Sequence, residues 1–221
     1  MTRLAVFDCD GTLVDSGATI YAALAEAFDR HGLALPPPQE SRRVIGLSLN
    51  EAMAALLPEA DAAMHSALAE TYKQSFFTAR QEGRVQEPLY DGILELLDTL
   101  EDDGWLLAVA TGKSDRGLRH CLLSHDIHAR FISLQTSDRH PSKPAPDMVI
   151  AAMSEAGATG ATTIVVGDTS FDMGMALAAG AKAVGVGWGY HDAEELFAAG
   201  ADAVAATPAE VADIAREIAD G

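Results

Sequence analysis

Two carboxylates, Asp8 and Asp10, stand at the end of the apolar run Leu4-Ala5-Val6-Phe7. On an extended backbone, side chains two residues apart point to the same side, and Gly11 lets the chain turn sharply behind them. Acids gathered in this way at a strand's carboxyl end make a candidate site for a hard cation. Further reactive types recur after strand-like runs or in turns. Thr111 closes Leu106-Leu107-Ala108-Val109-Ala110, Lys143 lies in Ser142-Lys143-Pro144, and Asp168 follows Ile164-Val165-Val166-Gly167, with Asp172 four residues on. A carboxylate can attack phosphorus in line if the charge building on the phosphoryl oxygens is neutralised, which calls for a cation, a hydroxyl or N–H donor, and an ammonium. These segments carry each of those groups.

Elements must then bring the segments together. The four apolar residues before Asp8 suit a strand covered on both faces, as in a parallel sheet. From about residue 93 onward the chain alternates. An apolar stripe Ile93, Leu94, Leu96, Leu97 and Leu100 predicts a helix ending near Gly104, followed by a strand to Thr111 and a helix over about 115–124. A strand over 131–134, a helix around Met148 to Met153, a strand to Gly167, a helix over 171–179, a strand over 183–186, Ala203-Val204 and a closing helix complete the pattern. Such repeated units predict an α/β fold, a doubly wound parallel sheet whose ligands bind at the carboxyl ends of the strands. The stretch between the first strand and this series is nearly all helical. It holds a helix from a Ser16 N-cap to His31-Gly32, a second around Met53, Leu56 and Leu57, and a third over 60–80, while Pro36-Pro37-Pro38 predicts a rigid non-helical connection. The division expected is a core of residues 1–15 and 86–221 with an inserted helical-bundle cap, 16–85, above the sheet ends.

In order, Asp8-Cys9-Asp10-Gly11-Thr12, the strand-end Thr111, Lys143-Pro144 and Gly167-Asp168 with Asp172 resemble the four motifs of the haloacid dehalogenase-like hydrolase superfamily. The run Asp8 to Ser16 is most similar to the phosphoglycolate phosphatase-like branch, which has a helical cap. The resemblance implies a Rossmann-like core and a Mg²⁺-dependent phosphatase working through an aspartyl phosphate. It casts Asp8 as nucleophile and metal ligand, and Asp10 as the acid that protonates the leaving oxygen and then activates water, its backbone carbonyl also facing the metal. Thr111 and Gly112 would hold the phosphoryl oxygens, Lys143 the phosphate and the Asp8 carboxylate, and Asp168 the Mg²⁺. Asp172 would bind a metal-bound water or fix Lys143. Within the cap, Arg42, Arg43 and the turn Ile45 to Leu49 resemble the family's specificity loop. Arg43 is the residue expected to point into the site, with Lys113 a second substrate contact and His140 a further candidate. Asp15 is expected to cap or orient the hinge into the cap.

Composition narrows the field independently. The 221 residues are 48% hydrophobic and carry 33 acidic against 15 basic side chains, a formal charge of −18. That charge opposes attraction to nucleic acid or an anionic membrane, so a phosphorylated small metabolite needs a local positive focus. No apolar run reaches the roughly 18 residues that span a bilayer, and Met1-Thr2-Arg3 leads straight into strand-like sequence rather than a signal peptide, so a cytoplasmic protein is expected, monomer or homodimer. Cys9 and Cys121 fit neither a zinc pattern nor a disulfide framework. Among other chemistries, Ala110-Thr111-Gly112-Lys113-Ser114 fails as a P-loop because Leu107 stands where the upstream glycine is needed. Thr19 stands where a calcium loop needs its glutamate. A phosphomutase of the same superfamily and a phospho-Asp signalling receiver remain alternatives, the latter needing neither a cap nor Asp10.

Overall fold

Leu4, Ala5, Val6 and Phe7 are wholly buried, and a run apolar on both faces of a strand can be satisfied only in the middle of a covered sheet. In the computed structural model, which describes residues 1–220, strand β1 (Arg3–Phe7) takes that place. Helices α1 (Gly17–Arg30), α2 (Pro38–Arg42), α3 (Leu49–Leu56) and α4 (Ala62–Gln81) come next. Then α5 (Ile93–Asp102), β2 (Trp105–Thr111), α6 (Asp115–Ser124), β3 (Phe131–Thr136), α7 (Asp147–Ala156) and β4 (Thr163–Gly167) follow. The chain closes with α8 (Ser170–Ala178), β5 (Lys182–Val186), α9 (Ala193–Ala198), β6 (Ala203–Ala205) and α10 (Pro208–Asp220).

The six strands are all parallel in the order β3-β2-β1-β4-β5-β6. β1 lies where the winding reverses, with β2 on one side and β4 on the other. Strand alternation sorts the core into two layers. Ala5, Phe7, Leu107 and Val109 face α5, α6 and α10. Leu4, Val6, Ala108 and Val165 face α7, α8 and α9. This is the doubly wound α/β sheet that the strand and helix alternation predicts, and it ends β1, β2 and β4 side by side at Asp8, Thr111 and Asp168.

Helices α1, α3 and α4 share a separate apolar cluster around Phe28, Met53 and Leu68, each fully buried. A fully buried side chain of this kind stabilises by roughly 1.5–3 kcal/mol, so the bundle carries its own small core. Two chain segments join it to the sheet and run antiparallel: Asp15 N donates to Pro88 O at 2.8 Å, and Tyr90 N to Leu13 O at 3.1 Å. Thr19 Oγ1 adds a 2.8 Å bond to Gln86 O.

Local expectations needed three corrections. The triple proline does not exclude helix: Pro38 opens α2, because proline lacks only an N–H that the first helical turn leaves unpaired anyway. Ser16 precedes α1 but does not cap it, its hydroxyl being spent on Asp10. α4 starts at Ala62 rather than 60, because the Asp61 carboxylate accepts from Met64 N at 2.9 Å and fixes the start.

Candidate active site

β1, β2 and β4 each deliver one polar residue at the strand end, and the turns after β1 and β2, the β3–α7 loop and the first turn of α8 supply the rest. Asp8 follows β1 directly, its N–H still bonded to Val166 O across the sheet at 2.9 Å. Lys143 sits in the loop between β3 and α7, and its buried ammonium lies 2.8 Å from Asp8 Oδ1 and 2.7 Å from Asp172 Oδ1. Asp172 is placed by a reciprocal cap at the start of α8. Its Oδ2 accepts from Thr169 Oγ1 at 2.6 Å and Thr169 N at 3.1 Å, leaving Oδ1 to orient the lysine. Asp168 accepts from Thr12 Oγ1 at 2.8 Å and from Tyr190 N at 2.9 Å. Gly11 is required here: its φ is +84°, and a Cβ would come within 2.2 Å of Asp168 Oδ2.

The electrostatics follow from burial. Asp8, Asp168 and Asp172 offer carboxylate oxygens that all lie within 4.8 Å of one another. Asp8 is pushed up to about 7, chiefly by burial and further by Asp172 and Asp10, with Lys143 pulling the other way. Asp168 is raised well above the ordinary carboxylate range, again chiefly by burial and then by Asp172 and Asp8. Burial works against the Lys143 charge, but Asp172 and Asp8 outweigh it and hold the ammonium above its usual value.

Three buried carboxylates against one ammonium leave a formal surplus of two negative charges when all are ionised. Asp8 Oδ2 is buried and has no hydrogen-bond partner. An orphaned carboxylate oxygen in an all-oxygen cluster with a double negative surplus is what a hard divalent cation satisfies, so these residues could hold one.

Asp10 lies apart from that cluster. Its Oδ1 accepts from Ser16 Oγ and from the Lys113 ammonium at 2.8 Å. Lys113 in turn lies 2.6 Å from Glu87 Oε1, and burial, which opposes its charge, is overcome by Asp10 and Glu87. Thr111 is buried, with its Oγ1 accepting from Lys113 N at 3.2 Å. Gly112 is met by the turn before α3: a Cβ there would sit 2.4 Å from Leu47 O. Ser48 N donates to Ser142 Oγ at 2.7 Å, so the Ile45 to Leu49 turn rests directly on the loop that carries Lys143.

The fold thus brings together Asp8, Asp10, Thr111, Gly112, Lys113, Lys143, Asp168 and Asp172. It leaves two expected residues outside. Arg43 does not enter the site: one residue past the end of α2, its side chain is 60% exposed and pairs with Glu195 of α9. His140 turns to Gln135 Oε1 at 2.8 Å. Asp15 accepts from Gly17 N at 3.3 Å, at the entry to α1. Sequence reasoning missed Thr12, Ser16, Glu87 and Tyr190. Thr12 and Ser16 flank the acidic motif and could have been suspected from that alone. Glu87 and Tyr190 carry no local signal, since only tertiary contact gives them a partner.

Comparison with known proteins agrees with this geometry. The family model for haloacid dehalogenase-like hydrolase matches residues 5–186. "Probable phosphatase IndB" of Dickeya dadantii (strain 3937) is 35% identical over 224 residues, covering 99% of this chain and 95% of that protein. The phosphoglycolate phosphatase of Pseudomonas putida (strain KT2440) is 31% identical over 207 residues, covering 90% of this chain and 74% of that one. A crystal structure of a hydrolase from Pseudomonas syringae matches with a TM-score of 0.85 at 28% identity, covering 98% and 99% of the two chains. No helix among the described residues is long and apolar enough to cross a membrane. With strand ends, acidic cluster and family match in agreement, the chain belongs to the haloacid dehalogenase-like hydrolases.

Proposed function

We propose that this hydrolase is a Mg²⁺-dependent phosphatase that cleaves the phosphomonoester of a small metabolite through an aspartyl-phosphate intermediate. The observation that carries the reading is the Lys143 ammonium bridging Asp8 and Asp172 while Asp8 Oδ2 stays unpartnered beside Asp168. In this reading, residues 1–15 and 86–221 form the catalytic core and residues 16–85 the cap that covers it. Asp8 attacks phosphorus in line, and the P–O bond to the leaving group breaks as the Asp8–phosphorus bond forms. Thr111 Oγ1 and the Gly112 N–H receive the phosphoryl oxygens, and Lys143 offsets their negative charge. Asp8, the Asp10 carbonyl and Asp168 would hold Mg²⁺, which when bound neutralises charge on the phosphoryl group. Asp10 gives its proton to the departing oxygen and then takes one from the water that hydrolyses the acyl phosphate. Ser16 and Lys113 orient that carboxyl. The Ile45 to Leu49 turn, lying on Gly112, excludes bulk water during transfer.

The P. putida relative makes phosphoglycolate the first substrate to try. A panel of phosphomonoesters, assayed with Mg²⁺ and with chelator, tests the reading through release of inorganic phosphate. Isomerised sugar phosphate without release would point to a mutase instead. Asp10→Asn should let the phosphoenzyme accumulate, visible as an adduct by mass spectrometry after rapid quench, and its absence would remove Asp10 from the acid–base role.

A further inference from the structure

A cavity of about 400 Å³ opens between α1, α4, the 41–52 segment and the N-terminus of α6. Asp10, Gly112 and Lys113 form its floor, which places it on the leaving-group side of the proposed reaction. Its size falls within the ~300–1,000 Å³ of sites that enclose drug-sized ligands. A two-carbon leaving group would leave most of its wall against water. Polar groups such as Ser48, Asn50 and Ser114 share that wall with an apolar, partly aromatic side made by Ile20, Leu24, Tyr72, Phe76 and Phe77.

Cations gather around those rings in a chain that is strongly acidic overall. Arg80 lies over Phe76 at 5.1 Å, and Arg116 over Phe77 at 4.8 Å. The ion pairs lead away from the acid in steps: Lys113 is 2.8 Å from Asp10 and 2.6 Å from Glu87, and Glu87 is 3.8 Å from Arg80. Glu87 thus gives Oε1 to Lys113, while its Oε2 faces Arg80 from the longer distance. The Arg80 side chain is only 16% exposed, and its Nε and Nη2 are buried without a hydrogen-bond partner. Arg80 lines the cavity beside the ring it covers, and a guanidinium whose charge is only loosely met there favours an anionic oxygen on the ligand.

We propose that this cavity receives the leaving group of a ring-bearing phosphomonoester whose far end carries a carboxylate, the ring lying along Phe76 and Phe77 and the carboxylate reaching Arg80. The inference rests on the phosphatase reading and specifies its substrate class. The discriminating substrates share an alcohol leaving oxygen: phosphoglycolate, benzyl phosphate and 4-carboxybenzyl phosphate. With Mg²⁺, kcat/KM should rise about tenfold from phosphoglycolate to benzyl phosphate, from ring burial. It should rise by roughly a further tenfold or more with the carboxylate, from a charge-assisted pair.

In Arg80→Met the ratio of 4-carboxybenzyl to benzyl phosphate should fall to near one. That substitution leaves Glu87 paired with Lys113, so it strands no buried charge. Arg116→Met provides a second variant outside the buried network, expected to lower the same ratio less. A preference for phosphoglycolate over both ring substrates, or a ratio unmoved in Arg80→Met, overturns the inference and leaves the phosphatase reading standing. If the wild type releases phosphate from none of the three but from other members of the wider phosphomonoester panel, this inference falls alone; release from no member of that panel overturns the phosphatase reading and this inference with it.

Discussion

The buried ionic centre and the cap-side cavity lie a few residues apart, yet they are built on opposite terms. At the centre, Asp8, Lys143, Asp168 and Asp172 are sealed from solvent, and nearly every oxygen has an assigned donor. In the cavity, rings and long cationic side chains lean on one another with few fixed hydrogen bonds. Where charge is buried, a small displacement is costly, so geometry is fixed by the sheet and its capped helices. Where rings and cations rest on one another, position is set by packing more than by a fixed set of hydrogen bonds. In the proposed reading, chemistry sits on the part fixed by hydrogen bonds and selection on the part fixed by packing.

Substitutions at the centre should have the largest effects. Asp8→Asn should lower phosphate release by at least about 10⁴-fold, on the scale seen when a nucleophile is removed, while circular dichroism shows the fold retained. Near-normal turnover would detach the chemistry from the buried cluster altogether. Lys143→Met removes the one buried cation between Asp8 and Asp172, and should cost about 3–5 kcal/mol in urea unfolding, because the carboxylates are left facing one another. Added Mg²⁺ should restore stability to this variant, and a variant as stable as wild type without it would mean the centre is less tightly coupled than its distances imply.

Acidity separates the two regions next. Asp8 must lose its proton to ligate a cation, and its pKa is pushed up to about 7 chiefly by burial. As pH falls below about 7, protons compete, and Mg²⁺ affinity should drop about tenfold per unit for each proton displaced. Above that value it should level off. Calorimetric titration of the metal-free protein at pH 6, 7 and 8 checks this, and a flat response would place the titrating carboxylate outside the cation site. Ligand contacts to Arg80 should stay constant across the same window, since a guanidinium remains charged throughout. The smallest effect belongs to the outer face of the cap. Arg43→Ala breaks only an exposed pair with Glu195, so thermal unfolding should shift by less than about 1 kcal/mol, with kcat/KM unchanged. A large loss of activity would bring Arg43 back into the site.

Much of the centre was legible without coordinates, because its residues sit where local rules put them. The strands before Asp8, Thr111 and Asp168 are short apolar runs, and parallel α/β topology gathers their carboxyl ends wherever the strands pair. Asp172 is a good example of two constraints in one residue, since it both closes the cap of α8 and holds Lys143. The cap was legible only as helices. Resemblance to a specificity loop points Arg43 toward the site, whereas a carboxylate within its reach, Glu195 of α9, turns it outward.

The sequence by itself determined which residues could do chemistry, the order of strands and helices that carries them, and an excess of negative charge that only a local cation can offset. Periodicity and motif spacing are properties of neighbouring residues, so they survive being read along a line. Tertiary structure decided the partners: Lys113 between Asp10 and Glu87, Tyr190 on Asp168, and Arg116 over Phe77. Those contacts join residues separated by long stretches of chain. Their energies depend on distance and burial in space, and neither quantity is written in the local pattern.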